Sequence, residues 1–313
     1  MVIKPNLLLG VYITLPIFTA LMLIDIFILN GFMNSALSPD PHDYAVFTLI
    51  FTFPHILASF FSFADKDYIN FYKRRLTWSL RIVFALSLVL SLLGEAVFFT
   101  VFATYTMSHV FLQQGGISKT LSRTQNKLWK YWQFLGVALS ASIYLYIYVG
   151  QNNSLRTWMI LSFILMLCAF CGIGMSLVND TEPTTGKLYI FATTLLPIIG
   201  AMYVRLDYVI LALAVPRIVH DITAYIFYIS HDHNRNQQTS NNYLYKSFNI
   251  TKIPVVLLSP ALSILLAYWL QQSLDGAFLT PIVGLLFLFH YQVEGYVWKS
   301  DSMHRRYVKL ATT

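Results

Sequence analysis

The chain has 313 residues, of which 57% are hydrophobic and only 11% are charged, and its formal net charge is +7. Water-soluble proteins carry about 25% charged residues, so the composition excludes a soluble globular domain. The two cysteines, Cys168 and Cys171, exclude a disulfide-stapled fold. They lie in an apolar run with small residues, which favours helix packing over metal or redox chemistry.

Ten apolar segments follow one another along the chain, each close to the roughly 20 residues that a membrane-spanning helix needs. They are 7–29, 44–63, 76–93, 95–114, 130–149, 156–178, 188–204, 208–229, 253–271 and 277–298. The tightest predicted connections are hairpins at Gly94–Glu95 and Arg205–Asp207. The first segment lacks a cleavage site and is interpreted as a span, not a signal peptide. We predict an all-α, polytopic transmembrane helical bundle of about ten spans, forming a single integral-membrane domain over residues 1–313.

Basic residues fall mostly on one side of this predicted bundle. With both termini in the cytoplasm, they concentrate in the two tails and in four loops: 64–75, 115–129, 179–187 and 230–252. The outer loops carry only Arg156 and Arg205. Such asymmetry is typical of membrane proteins, whose cytoplasmic loops are rich in Lys and Arg. The pattern predicts cytoplasmic termini and a bacterial inner membrane, and it explains the positive charge without a nucleic-acid partner.

Four of the eight histidines lie inside predicted spans: His55, His109, His220 and His290. In this topology their helices all run from outside to inside, and each histidine follows the outer end of its span by about 11 to 14 residues. At ~1.5 Å per residue, the four imidazoles lie about 17–21 Å below the outer surface. Ionisable groups inside a membrane face the bundle interior, and neutral imidazole is the commonest metal ligand. The shared depth predicts one metal centre.

Polar residues adjoin these histidines or lie one helical turn away on the same face: Ser59, Gln113, Arg217, Asp221 and Glu294. Such groups fix the tautomer and ring orientation of ligating histidines. We therefore expect Gln113, Asp221 and Glu294 to orient ligands or handle protons, with Glu294 as an alternative ligand. Arg217 is expected to pair with Asp221 or Glu294 and to anchor a polar substrate end.

A second group of histidines closes the eighth span. His231 lies eleven residues after His220, ~16 Å along a straight helix, which is too far for one mononuclear site. There are three interpretations of His231 and His233. They form a second site, or they join the first site if the helix breaks. The third, which we favour slightly, is that they lie at a solvated interface. His42 and His304 are predicted to be surface residues.

The donor types indicate which metal fits. Magnesium and calcium prefer oxygen ligands, and a structural zinc cage needs thiolates that the chain does not offer. Fe(II) with open coordination positions is the preferred cofactor, with zinc or haem as alternatives, although haem uses only one or two histidines. The sequence thus predicts a membrane oxygenase that uses dioxygen on a hydrophobic lipid or isoprenoid. The alternatives are a proton- or metal-coupled transporter and a haem-binding electron-transfer protein.

Three motifs carry a family resemblance. Phe53-Pro-His55, the segment Tyr105–Ile117 around His109, and the segment Val215–Arg235 resemble the histidine motifs of the Brp/Blh-type β-carotene-cleaving dioxygenases. The resemblance implies a polytopic membrane enzyme that holds iron through histidines and cleaves a carotenoid to retinal. The segment His290–Lys299 is not part of that pattern, so His290 and Glu294 are candidates from the depth argument alone.

Overall fold

The computed structural model describes residues 1–37, 44–149, 153–239, 241–248, 252–273, 276–299 and 301–311. The fold is all-α, as predicted. The helices are α1 (Pro5–Val11), α2 (Thr14–Phe27), α3 (Phe32–Ser35), α4 (Tyr44–Phe61), α5 (Lys66–Leu92), α6 (Glu95–Ser122), α7 (Leu128–Val149), α8 (Asn153–Asn179), α9 (Thr184–Arg205), α10 (Val209–Gln238), α11 (Tyr243–Ser247), α12 (Val255–Ser273) and α13 (Gly276–Val297). Two short strands, β1 (Val2–Ile3) and β2 (Lys309–Leu310), pair in parallel.

The apolar helices identify an integral membrane protein. Among the described residues, four stretches are long and apolar enough to cross a membrane: Pro5–Phe27, Arg156–Asn179, Thr184–Arg205 and Val209–Gln238. Helix α8 exposes large apolar side chains such as Leu165 (72%) and Met175 (69%). An apolar surface of this kind is stable only against lipid or a partner.

Several helices continue beyond the apolar segments that predicted them. Helix α5 begins at Lys66, where the carboxylate of Asp65 accepts a hydrogen bond from the Asp67 amide at 2.8 Å and caps the first turn. Helix α10 continues to Gln238, so the predicted polar loop 230–252 is helical over its first part. The first predicted span is interrupted between α1 and α2 at Tyr12.

Both predicted hairpins are breaks between helices. Gly94 separates α5 from α6 and has a φ of +97°, and Asp207 separates α9 from α10 with a φ of +63°. The left-handed region carries little strain for glycine, which has no Cβ. Aspartate is among the few other residues that adopt it readily.

Contacts divide the chain into two compact units. The first unit contains residues 1–4, 47–98 and 221–312, and the second contains residues 5–46 and 99–220. Helix α10 contributes to both, because His220 ends the second unit and Asp221 continues the first. The single membrane domain inferred from the sequence stays a prediction.

An aromatic cluster forms the core of the second unit. Trp132 of α7 stacks on Phe170 of α8, with ring centroids 5.4 Å apart and planes 11° apart. Phe111 of α6 joins them, and it packs where α7 carries Gly136. A Cβ at that position would lie 2.1 Å from the Phe111 ring, so the contact between the two helices requires glycine there.

Helices α5 and α13 form the core of the first unit. Tyr68 and Tyr72 of α5 pack with Val293 and Val297 of α13, and all four side chains are buried. Both pairs have the four-residue spacing that places side chains on one face of a helix. This contact fixes the C-terminal turns of α13, and the turn before them carries His290.

Candidate metal centre

Two predicted ligands meet inside the first unit. His55 of α4 and His290 of α13 are 2% and 0% exposed. Their Nε2 atoms lie 3.2 Å apart, and the ring planes are 79° apart. The sequence placed these residues at one depth, and within this unit their side chains are in direct contact.

A hydrogen bond fixes the tautomer of one of the two rings. The single hydroxyl proton of Ser59 goes to the carbonyl oxygen of Ile56 at 2.5 Å. Its oxygen therefore accepts a hydrogen bond from Nδ1 of His290 at 2.9 Å. The neutral His290 imidazole thus carries its proton on Nδ1 and offers the lone pair of Nε2 to Nε2 of His55. On the other ring, Nδ1 of His55 lies 3.4 Å from a carboxylate oxygen of Asp221.

The two Nε2 atoms are in hydrogen-bond contact at 3.2 Å, so a proton lies between them or, when a metal binds, the metal ion. A metal ion satisfies both, because its bonds to imidazole nitrogen are about 2.0–2.1 Å long. Two nitrogens on one metal are then about 3 Å apart at bond angles near 90–100°. The spacing in the first unit therefore fits a shared metal ion.

Glu294 adds a carboxylate to this site. It lies one turn after His290, is 4% exposed, and places Oε1 at 3.6 Å from Nε2 of His290. The same oxygen accepts a hydrogen bond from the Tyr228 hydroxyl at 2.5 Å. The sequence did not mark Tyr228, since nothing in its spacing separates it from the other tyrosines. Two imidazoles and a carboxylate are the donor set of the non-haem Fe(II) oxygenases.

The other two predicted ligands form a pair inside the second unit. The rings of His109 (α6) and His220 (α10) have centroids 4.9 Å apart and planes 79° apart. The side-chain oxygen of Gln113 lies 2.8 Å from Nδ1 of His220. An amide oxygen only accepts, so Nδ1 of His220 is the donor and Nε2 carries the lone pair.

Gln113 belongs to a buried network that sequence reasoning missed. Its side-chain oxygen also accepts from the side-chain nitrogen of Gln114 at 3.0 Å. The Gln114 oxygen in turn accepts from the hydroxyls of Tyr12 and Tyr189 at 3.1 and 2.6 Å. These bonds hold the Gln113 amide in one orientation and so support the tautomer of His220. Side chains of α6, of α9 and of the turn between α1 and α2 form the network, and no local spacing in the sequence indicates it.

Arg217 lies in the second unit, three residues before His220, and is 5% exposed. A buried guanidinium is expected to serve an anionic or polar group. Its predicted pairing with Asp221 or Glu294 stays a prediction.

The predicted second site does not gain support from the geometry. Both ring nitrogens of buried His231 are engaged, Nε2 by the Tyr68 hydroxyl and Nδ1 by Asp232, each at 2.8 Å. His233 is two residues further along α10, where side chains do not face each other. Helix α10 has no break, and His231 is buried, so it is not a solvated interface residue.

The surface assignment of His304 was wrong, and that of His42 lies outside the described residues. His304 is 0% exposed and stacks on Tyr68 with ring centroids 4.1 Å apart. Burial among aromatic rings and the neighbouring positive groups lower the pKa of His304 well below its usual range. It is therefore a neutral core residue of the first unit.

The first unit offers buried donor atoms of the kinds that bind metal ions: Nε2 of His55, Nε2 of His290 and a carboxylate oxygen of Glu294. His109 and His220 offer two more imidazoles in the second unit. Comparison with known protein families, with characterised proteins and with solved structures finds no match to this chain.

Proposed function

We propose that this protein is a membrane-embedded metal-dependent oxygenase that acts with dioxygen on a hydrophobic lipid or isoprenoid substrate. The observation that carries the proposal is the contact between His55 and His290. Two buried imidazoles whose Nε2 atoms lie 3.2 Å apart have the spacing of two ligands on one metal ion. The nearby carboxylates make a divalent metal the best fit, and Fe(II) suits a site of two histidines and one carboxylate.

Each residue of the first unit has a role in this proposal. His55, His290 and Glu294 hold the metal, while Ser59 and Asp221 orient the imidazoles through Nδ1. When bound, iron supplies the one-electron chemistry that activates dioxygen. The hydroxyl of Tyr228 donates a hydrogen bond to the Glu294 carboxylate oxygen. Burial of these side chains excludes water and protects reactive species.

The second unit contributes His109 and His220 as further ligands in this proposal, on the ground of their shared depth in the sequence. Arg217 anchors a carboxylate or another polar end of the substrate. The resemblance of the His55, His109 and His220 motifs to carotenoid-cleaving dioxygenases supports an isoprenoid or carotenoid-like substrate.

The proposed topology has ten spans with both termini in the cytoplasm of a bacterial cell. Two observations support it. Nine of the ten predicted apolar segments each fall largely on one helix and the first falls on α1 and α2, and the basic residues favour the predicted cytoplasmic side. The topology is tested by measuring from which side of the membrane a cysteine placed at Arg156 or at Lys187 is accessible. The proposal puts these two positions on opposite sides of the membrane.

The metal is tested by elemental analysis and an absorption spectrum of the purified protein. We expect stoichiometric iron without a Soret band, and loss of that iron in His55→Ala and His290→Ala. His233→Ala is the matched control, because His233 is a half-buried histidine of a described helix outside the proposed ligand set. Full iron retention in both ligand variants contradicts the proposal. Iron lost from His109→Ala and His220→Ala as well extends the ligand set to the second unit.

A second candidate function is proton-coupled transport, and one observation favours it. The hydrogen bond from Tyr228 to Glu294 and the short His55–His290 contact together form a polar path through an apolar helix bundle, and such paths carry protons in membrane pumps. Proton flux in liposomes with no bound metal and no oxygen consumption is the result that selects this function.

A further inference from the structure

A proline interrupts the backbone hydrogen-bond pattern of helix α10 one turn before His220. Pro216 has no backbone N–H, so it leaves the carbonyl of Ala212, four residues earlier, without its helical donor. The hydroxyl of Tyr144 on α7 donates to this carbonyl oxygen at 2.7 Å. Tyr144 is 2% exposed, and its hydrogen bond replaces the missing one in a setting where water is not available to do so.

A small cavity in the second unit lies beside this missing helical hydrogen bond. Its volume is about 20 Å³. Its apolar wall includes Met107, Phe111, Ile143, Leu196, Gly200 and Pro216. One water molecule needs about 10–15 Å³, so the cavity has room for one small molecule.

The polarity of the wall selects an apolar occupant. Of the lining residues, Ser140 and Tyr144 alone carry a polar side chain. The Tyr144 hydroxyl proton is already committed to Ala212. A buried water typically makes about three hydrogen bonds, whereas apolar cavities stay dry and take up xenon or apolar ligands. The wall therefore favours a small apolar molecule over water.

The cavity lies close to a predicted metal ligand. Ala212, Pro216 and His220 are spaced by four residues along α10, so they follow one another on one side of the helix. One turn, about 6 Å, separates Pro216 from His220. Within the second unit, a molecule in the cavity is thus one helical turn from the imidazole whose Nε2 carries a lone pair.

We propose that this cavity is a binding site for dioxygen. Its role in supplying the reaction rests on the proposed oxygenase function, whereas its affinity for an apolar gas does not. Dioxygen and xenon share the required chemistry, since both are small, apolar and unable to make hydrogen bonds of useful strength. Xenon is therefore a faithful probe of the site without any metal or substrate.

Methyl NMR of protein labelled at the methionine methyl groups tests the site directly. Met107 lines the cavity, buried Met22 lies elsewhere in the same unit, and Met175 is 69% exposed on an apolar surface. With rising xenon pressure, we expect the Met107 shift to saturate while the Met22 and Met175 shifts stay small or linear. Dioxygen should broaden the Met107 signal, and added xenon should reverse that broadening.

One variant closes the cavity. Gly200→Leu fills it, and a Cβ at Gly200 lies 3.4 Å from Ile143, an ordinary contact that the backbone tolerates. This variant should abolish the saturable shift of Met107 while leaving the Met22 signal unchanged, which shows that the unit is folded. The matched control, Ser140→Ala, removes a hydroxyl without filling the cavity and should keep xenon binding.

A Met107 shift that rises linearly like that of Met175, or that still saturates in Gly200→Leu, overturns the proposal. So does a loss of xenon binding in Ser140→Ala, which indicates a water site. Iron content of the same samples separates the two proposals. Bound iron without xenon binding contradicts only the proposed gas site. Xenon binding without bound iron contradicts only the proposed oxygenase function.

Discussion

Tyr144→Phe is the substitution whose effect the structure defines most closely. It removes one hydroxyl, and with it the hydrogen bond to the Ala212 carbonyl. A buried acceptor that loses its donor costs about 1–3 kcal/mol, whereas a satisfied neutral hydrogen bond contributes about 0.5–1.5 kcal/mol net. We therefore expect Tyr144→Phe to lower the free energy of unfolding by about 1–3 kcal/mol.

The same substitution should cost much less in the Pro216→Ala background. An N–H at position 216 then donates to the Ala212 carbonyl in the ordinary helical pattern, so loss of the tyrosine hydroxyl leaves no buried acceptor empty. The difference between the two backgrounds is a coupling energy, of about 1–2 kcal/mol, within the range of contacting residues.

The assay is unfolding in mixed micelles, followed by circular dichroism, for the wild type, both single variants and the double variant. Tyr146→Phe on the same helix is the matched control, because its half-buried ring lies against Arg156 on another side of α7. Its cost should be small in both backgrounds. Equal costs of Tyr144→Phe in the two backgrounds refute the reasoning that Tyr144 replaces the donor lost at Pro216.

Three further predictions follow from single contacts. Ser59→Ala removes the acceptor for Nδ1 of a predicted ligand and should lower metal affinity about 10–100-fold, measured by chelator competition. Gly186→Ala places a Cβ 2.8 Å from the backbone of α6 and should destabilise the protein by about 1–3 kcal/mol. Gly172→Ala, with open space around it, should not. Finally, because the pKa of His304 is lowered in the folded protein, its side chain takes up a proton just below about pH 6.5 in the unfolded chain but not in the folded one. Stability should fall as the pH drops through that value, and His304→Phe should flatten the slope of unfolding free energy against pH.

Hydropathy predicted where the helices are but not where they end. The apolar segments mark contact with lipid, whereas a helix continues as long as its backbone hydrogen bonds and caps allow. Helix α5 therefore begins at Lys66, ten residues before its predicted span, because Asp65 caps it there. A buried polar network at its C-terminal end explains the extension of α10. Arg235 bonds to Asp65 at 2.9 Å and to the Tyr307 hydroxyl at 2.7 Å, and these partners are distant in sequence.

The predicted ligands were placed by depth, and their partners by spacing along a helix. Depth brought His55 and His290 to one level, and within the first unit their rings touch. Spacing assigned Ser59 to His55 and Gln113 to His109, each one turn later on the same helix. Instead, Ser59 bonds His290 and Gln113 bonds His220. Four-residue spacing shows which side chains share one face of a helix. Which side chains of a neighbouring helix this face contacts depends on how the two packed helices are rotated about their axes.

Charge balance separates a shared metal from a shared proton in the first unit. Asp221 and Glu294 are 7% and 4% exposed, and each lies beside one of the two facing imidazoles. A single proton between the imidazoles compensates one of these carboxylates, whereas a divalent metal compensates both. Buried charges are tolerated when paired and costly when left over. Glu294→Gln should therefore weaken the binding of a divalent metal much more than that of a proton, and an iron affinity unchanged by this substitution would favour the proton.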